Sequence, residues 1–98
     1  MVLRYKRSEN VVSRELGGQT VLIPIQQQTV DVQSIYALNA TAETVWGLLV
    51  NPSTLDVLVA ELAKEYTAST DLIRNDVVKL LDELIEEKVV ISFEGNEN

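Results

Sequence analysis

The chain has 98 residues, 46% of them hydrophobic and 23% charged, with a formal net charge of −7. This length suits one domain, and the hydrophobic content is sufficient for a core, which argues against global disorder. Cysteine and histidine are both absent, which excludes thiolate and imidazole metal sites, disulfides, cysteine nucleophiles and serine–histidine–aspartate triads. No pattern points to a cofactor or to catalysis, and we expect neither.

The first ten residues, MVLRYKRSEN, are polar and basic. They lack the apolar run of a signal peptide, and no stretch of the chain approaches the length of a membrane span. The absence of cysteine fits a reducing compartment, so we expect a cytoplasmic protein. Because residues 1–10 are polar and basic, we expect them to form a flexible arm.

Two apolar runs, VVSREL and TVLIPI, flank Gly17-Gly18. Paired glycines supply the positive φ angles of a tight turn, so this stretch predicts a β-hairpin. Pro24 has no backbone donor and indicates that the second strand is an edge strand or ends there. Residues 26–33 form a polar connection, and a third strand is predicted at residues 34–38.

Three helices follow, each with a capping signal. The first begins at Asn39 or Thr41 and ends at Asn51-Pro52. Its apolar residues fall at helical spacing on one stripe, and they are Ala42, Val45, Trp46 and Leu49. In the second helix the spacing of Ser53 and Asp56 resembles a capping box.

The third helix is predicted from Ser69 or Thr70 to about Lys88. The β-branched residues after it favour a short terminal strand, and residues 94–98 are a tail. Residues 11–93 are thus predicted to form one α+β domain of the winged helix-turn-helix type. It has an N-terminal three-stranded antiparallel sheet, three helices and a short terminal strand. DNA binders and peptide binders share this outline.

Three segments carry a family resemblance: LNATAETVWGLL at 38–49, STLDVLVAELAKEY at 53–66 and NDVVKLLDELIEEKVV at 75–90. Their order and spacing resemble the PqqD family, also called RiPP recognition elements, over residues 11–91. The matching positions are Leu38-Asn39, Trp46, Leu62, Tyr66, Asp76-Val77 and Leu84. The chain departs from the family in VNPS, which replaces the usual Asp-Gly after the first helix, and in a longer connection, IQQQTVDVQ.

The resemblance implies a non-catalytic peptide-binding chaperone. Such proteins hold the leader of a ribosomally made precursor peptide and present it to a modifying enzyme, which is a radical-SAM protein in the namesake pathway of pyrroloquinoline quinone biosynthesis. The leader adds as an extra strand beside the third strand and lies against the third helix. The implied partners are therefore a leader peptide and an enzyme. From the net charge of −7 and the lack of a membrane-length apolar run, we expect neither nucleic acid nor membrane as a partner.

The residues of this chain suit such a site in two places. Strand addition needs an edge whose backbone groups are unpaired, and the candidate strand consists of Ser34, Ile35, Tyr36, Ala37 and Leu38. The apolar stripe of the third helix is wider than a three-helix core needs, and from it we predict peptide contacts at Arg74, Val77, Val78, Leu81 and Ile85. Arg74 would pair with an acid on the leader. The sequence leaves open which face of the strand is inward, and whether the wide stripe serves the chain's own sheet.

Two other functions fit the outline. A winged-helix DNA-binding regulator would use the third helix for recognition, but that helix carries more acids than bases, which opposes binding to phosphates. A structural dimerisation module would pair its edge strand with that of a second copy about a two-fold axis, so a homodimer is also an expectation.

Overall fold

The computed structural model describes residues 2–26, 29–30 and 35–95 and contains seven strands and three helices in that part of the chain. The strands are β1 (Val2–Arg7), β2 (Val11–Leu16), β3 (Gln19–Gln26), β4 (Thr29–Val30), β5 (Tyr36–Ala37), β6 (Ser53–Thr54) and β7 (Val90–Gly95). The helices are α1 (Ala40–Leu48), α2 (Leu55–Ala63) and α3 (Thr70–Glu86). The predicted α+β class, with an N-terminal antiparallel sheet, three helices and a terminal strand, is confirmed. None of the described helices is long and apolar enough to cross a membrane.

Strands β2 and β3 form the predicted hairpin around Gly17 and Gly18, whose φ angles are +60° and +79°. The prediction for Pro24 was wrong, because β3 continues through it to Gln26 and lies inside the sheet, with β2 on one side and β4 and β5 on the other. The amide of Ile25 donates to the carbonyl of Asn10 at 2.8 Å. Since successive amides of a strand point in opposite directions, the missing N–H of Pro24 faces away from β2, and that ladder loses no bond.

The prediction of a flexible arm at residues 1–10 was also wrong. Residues 2–7 form β1, the central strand of a second sheet with the order β6-β1-β7. Its register with β7 runs from Val2 opposite Gly95 to Arg7 opposite Val90. Alternation along the strand explains this outcome, because Tyr5 packs against the core while Lys6 lies over the ring of Phe93 on the other face, 5.2 Å from its centroid. The basic residues of this segment are thus side chains of a strand, and they do not indicate a flexible arm.

The side chain of Arg7 connects β1 to α1 through Trp46. Its Nε and Nη2 atoms donate to the carbonyl of Trp46 at 3.0 and 2.6 Å, and its guanidinium carbon lies 4.2 Å from the centroid of the Trp46 ring. Burial lowers the pKa of Arg7 from its usual value. Trp46 is itself only 6% exposed, so its ring belongs to the core, and the guanidinium of Arg7 packs on that ring.

Each helix begins at a side-chain cap. Asn39 caps α1 by accepting from the amide of Ala42 at 2.8 Å, and Ser69 caps α3 by accepting from Leu72 at 3.2 Å. The cap of α2 is Thr54, which accepts from Val57 at 3.2 Å, so the predicted Ser53 capping box is off by one residue. Ser53 instead belongs to β6, which pairs with β1. The pairing of β6 with β1 determines where α2 begins. The sequence around Ser53 does not reveal that β1 is its partner.

The core lies between the helices and the two sheets. Its fully buried side chains come from β3, from the segment after β5, from all three helices and from the start of β7; the largest are Leu22, Leu38, Leu49, Leu58, Leu62, Leu81 and Leu84. Lys88, with φ at +67°, follows the last turn of α3 and directs the chain into β7. The arrangement leaves β5 and one flank of α3 facing each other at the surface.

Candidate functional site

One edge of β5 pairs with β3, and the other edge faces away from it. Within β5 and its neighbours, the amide of Leu38 donates to the carbonyl of Thr20 at 2.9 Å, and Tyr36 lies opposite Leu22 in the same register. Backbone groups alternate in direction along an antiparallel strand, so the groups of Tyr36 and Leu38 face β3, whereas those of Ile35 and Ala37 face outward. In the described ranges, no strand pairs with that outward side. This edge offers hydrogen-bonding groups to another strand.

The side chains on β5 settle the question of its inward face. Leu38 is 1% exposed, and Tyr36 is half-buried and packs against the core. Ile35 is 41% exposed and Ala37 is also exposed. Ser34, the first residue of the predicted strand, lies outside the described residues. The strand is thus anchored by Tyr36 and Leu38 and presents Ile35 and Ala37 to solvent.

A groove of about 250 Å³ separates β5 from α3. Its lining comes from β5, the start of α1 and one flank of α3: Tyr36, Asn39, Thr41, Asp76, Lys79, Leu80 and Glu83. The hydroxyl of Tyr36 donates to Oε1 of Glu83 at 2.7 Å, which ties the strand to the helix. This bond connects the two walls of the groove.

The environment of Tyr36 raises its pKa to about 12. Burial is the largest cause, followed by the hydrogen bond to Glu83 and the negative charges of Glu83 and Glu87. All of these effects favour the neutral phenol, because burial and nearby carboxylates disfavour a phenolate. Tyr36 therefore remains a hydrogen-bond donor throughout the neutral pH range.

The ionisation of Tyr36 gives a first prediction. In a ¹³C NMR titration of the tyrosine Cζ resonances, we expect Tyr36 to have its midpoint near pH 12. Because this pKa is higher in the folded protein than in the unfolded chain, the associated stability is complete below about pH 10 and is lost as pH rises through the folded pKa. Glu83→Gln should lower the midpoint without returning it to the unfolded value, since burial remains. Glu86→Gln, on the same helix, should leave it unchanged; an unshifted midpoint in Glu83→Gln would contradict the bond.

The predicted contacts on α3 do not line this groove. Val77 and Leu81 are each 1% exposed and belong to the core. Nη2 of Arg74 pairs with Oδ1 of Asp56 on α2 at 2.8 Å. At about 100° per residue, Val78 and Ile85 lie on the same flank as Arg74, and Ile85 packs against the core.

Of the residues on that flank, Arg74 is held by Asp56 of α2, whereas Val78 is 38% exposed. The flank that faces β5 carries Asp76, Lys79, Leu80 and Glu83, and none of these four residues is among the predicted contacts. One signal was available: Asp76, Leu80, Glu83 and Glu87 fall at spacings of three and four, which places them on a single helical face. The sequence did not show that β5 lies opposite that face.

A second cavity, of about 370 Å³, adjoins the groove. It lies between the end of α2 and the first half of α3 and shares Thr41 and Asp76 with the groove. The hydroxyls of Thr41 and Tyr66 are 3.3 Å apart across its wall. In the described part of the chain, no group of three or more acidic side chains is placed to hold a metal ion.

The fold and groove together define an α+β domain in which an open strand edge faces a helix across a cleft. The sequence matches the family model for coenzyme PQQ synthesis protein D (PqqD) over residues 19–90. The chain belongs to the PqqD family, and the resemblance predicted from its motifs is confirmed. Among curated proteins, none matches the chain significantly.

One similar solved structure is that of "TbiB1 in Complex with the TbiA(beta) Leader Peptide". The two proteins share 24% sequence identity, and their folds superpose with a TM-score of 0.72. The match covers 95% of this chain and 99% of that one. At this identity the likeness establishes a common fold over nearly the whole length of both chains.

Proposed function

We propose that this protein is a non-catalytic chaperone that binds the leader segment of a ribosomally made precursor peptide by strand addition at β5. One observation carries the proposal: the outward backbone groups of Ile35 and Ala37 are unpaired within the described structure, and Tyr36, which stands between them, lines the groove beside α3. Strand addition uses such an edge for affinity and the neighbouring pockets for specificity.

Membership of the PqqD family supports this function. The similar fold of TbiB1 supports it as well, because that protein was solved with a leader peptide. The resemblance described above associates this family with leader binding beside the third predicted strand, at residues 34–38, and β5 lies within that segment. The family, the fold and the unpaired edge of β5 therefore all support a leader peptide as the ligand.

The geometry favours an extended peptide over a helical one. A strand added to β5 would lie about 4.8 Å away and would pair with the groups of Ile35 and Ala37. Its side chains would alternate between solvent and the groove. Because Leu38 and Tyr36 anchor β5, and the Tyr36–Glu83 bond ties it to α3, little ordering remains to be done when the peptide binds.

We also propose that the bound leader is presented to a peptide-modifying enzyme, of the radical-SAM class or another. The support is the family resemblance, together with a groove that holds a peptide strand by one edge and leaves its opposite edge accessible. A purified modifying enzyme encoded beside this chain should process its precursor faster when this protein is added. An unchanged rate would contradict this part of the proposal.

A second copy of the chain is the competing occupant of the edge. Two β5 strands can pair about a two-fold axis, and such a homodimer would block the peptide site. Light scattering with and without peptide distinguishes the two cases, because peptide that competes for β5 would reduce the mass of a dimer formed there. An unchanged monomer mass would remove the dimer from consideration.

The direct test of peptide binding is an NMR titration with the synthetic leader of the precursor encoded beside this chain. We expect a dissociation constant in the micromolar range or tighter, about −8 kcal/mol. Amide shifts should be largest at residues 35–38 and at Asp76, Lys79, Leu80 and Glu83, and small at Arg74, Val78 and Ile85. A scrambled leader is the control. The proposal fails if the leader binds without moving the amides of β5.

A further inference from the structure

The cavity beside the groove combines an apolar floor with an acidic rim. Its floor includes Leu62, Ile73 and Val77, which are 1%, 4% and 1% exposed, so only small parts of these core residues reach its surface. Glu65 and Asp76 are exposed residues in its lining. The cavity therefore offers apolar carbon at the bottom and negative charge at the entrance.

The two rim carboxylates are unpaired within the described part of the chain, where neither accepts a side-chain hydrogen bond or forms an ion pair. The nearby acids of other surfaces differ in this respect, since Glu83 accepts from Tyr36 and Glu61 pairs with Lys64 at 3.0 Å. Lys79 lines the neighbouring groove but not this cavity. Negative charge at this entrance is thus left without a cation from the described structure.

Position links the cavity to the bound strand. Asp76 and Thr41 belong both to this cavity and to the groove between β5 and α3. A side chain of a peptide that lies along the groove and points toward the start of α3 therefore enters the cavity past Asp76. The cavity and the groove are therefore contiguous near the start of α1.

We infer that this pocket receives a lysine or arginine of the bound peptide. The inference rests on the proposed strand addition at β5 and specifies which peptides the site accepts. The long methylene stem of such a residue packs on Leu62, Ile73 and Val77 while its cationic head stays at the wet rim. There the head forms charge-assisted hydrogen bonds with Glu65 and Asp76.

Other side chains suit the pocket less well. A leucine or phenylalanine would fill the floor but would partly desolvate two carboxylates without pairing them, which is unfavourable. An aspartate or glutamate would meet like charge at the rim. A basic residue satisfies both the apolar floor and the acidic rim.

The test is selection from a library of random twelve-residue peptides displayed on yeast, using the purified protein as bait. Peptides that still bind an Ala37→Pro variant, whose β5 edge is blocked, are removed first, so that the remaining binders depend on β5. We expect lysine or arginine to be enriched at one position of the aligned binders. Selection is repeated with the Glu65→Gln/Asp76→Asn double variant and with the control Asp82→Asn/Glu86→Gln.

Both double variants change the net charge equally, but Asp82 and Glu86 line neither the cavity nor the groove. The basic enrichment should disappear with Glu65→Gln/Asp76→Asn and persist with the control. For one selected peptide, the first variant should weaken binding about fivefold to tenfold and flatten its salt dependence. Far-ultraviolet circular dichroism should be unchanged, since all four side chains are exposed.

The outcomes separate the inference from the function on which it rests. Binders that depend on β5 but carry an apolar residue at the enriched position, and that bind equally well to Glu65→Gln/Asp76→Asn, would overturn the basic pocket and leave strand addition intact. Equal loss of the basic preference in both double variants would show an effect of overall charge and would also overturn it. The absence of any binder that depends on β5 would overturn both.

Discussion

Replacement of Ala37 by proline should weaken leader binding by about 30-fold or more, or roughly 2 kcal/mol, without unfolding the protein. The amide of Ala37 points outward from β5, so proline removes a hydrogen bond that only an added strand would receive. The ring also occupies the space where that strand would approach. Because the ladder to β3 uses the groups of Tyr36 and Leu38, the internal pairing of the sheet is retained. Isothermal titration calorimetry with the leader measures the loss.

Ser13→Pro is the matched control for Ala37→Pro. Ser13 lies on β2 opposite Leu22, and by the same alternation its amide faces the outer edge of the hairpin sheet. It thus introduces the same chemical change at a second strand edge without a partner among the described strands, on the other side of β3 from β5. Ser13→Pro should bind the leader as the wild type does. Equal binding by wild type and Ala37→Pro would show that the peptide does not use β5.

Removal of residues 1–7 should lower the free energy of unfolding by more than about 3 kcal/mol. These residues include β1, which lies between β6 and β7 and supplies Tyr5 to the core. Without it, both neighbouring strands lose their only described partner in that sheet, and the Trp46 carbonyl loses its bonds to Arg7. A flexible arm, in contrast, can be removed at almost no cost. Urea denaturation followed by tryptophan fluorescence measures the difference, with Trp46 as the single reporter.

Lys6→Ala provides the control for that truncation. Its side chain lies over Phe93 on the face of β1 opposite Tyr5, so its loss should cost less than about 1 kcal/mol. Arg7→Ala should lie between the two, because it removes the contacts to Trp46 while keeping the strand. If the truncated chain were as stable as the wild type, β1 would contribute nothing to the fold.

Local chemistry explains which elements were predictable. The Gly17-Gly18 turn and the caps at Asn39 and Ser69 act within a few residues, so their signals are complete in a short stretch of sequence. The strand at residues 2–7 was missed because its partner, β7, lies more than eighty residues further along the chain. A strand so dependent on a distant partner has almost no local signature beyond alternation.

The candidate site also contains one part that local sequence predicts and one part that depends on distant neighbours. The strand edge at residues 35–38 was predictable, because the family motif and the cap at Asn39 place it. The apolar width of α3 predicts peptide contacts on the flank of Arg74, Val78 and Ile85. In the structure Arg74 pairs with Asp56 of α2, and the opposite flank of α3 lines the groove beside β5. The rotation of a helix about its axis is set by all of its neighbours at once, so its sequence alone cannot say which flank remains for a peptide.

The pairing of β1 with β7 has a consequence for protein engineering. Val2 lies directly opposite Gly95, so the first and last described strands lie side by side and their outer ends meet at one corner of the sheet. A short linker can join them there, and a new chain start can be opened at the Gly17-Gly18 turn, away from α3. For the same geometric reason, the domain can be inserted into a surface loop of another protein with both connections emerging from that corner.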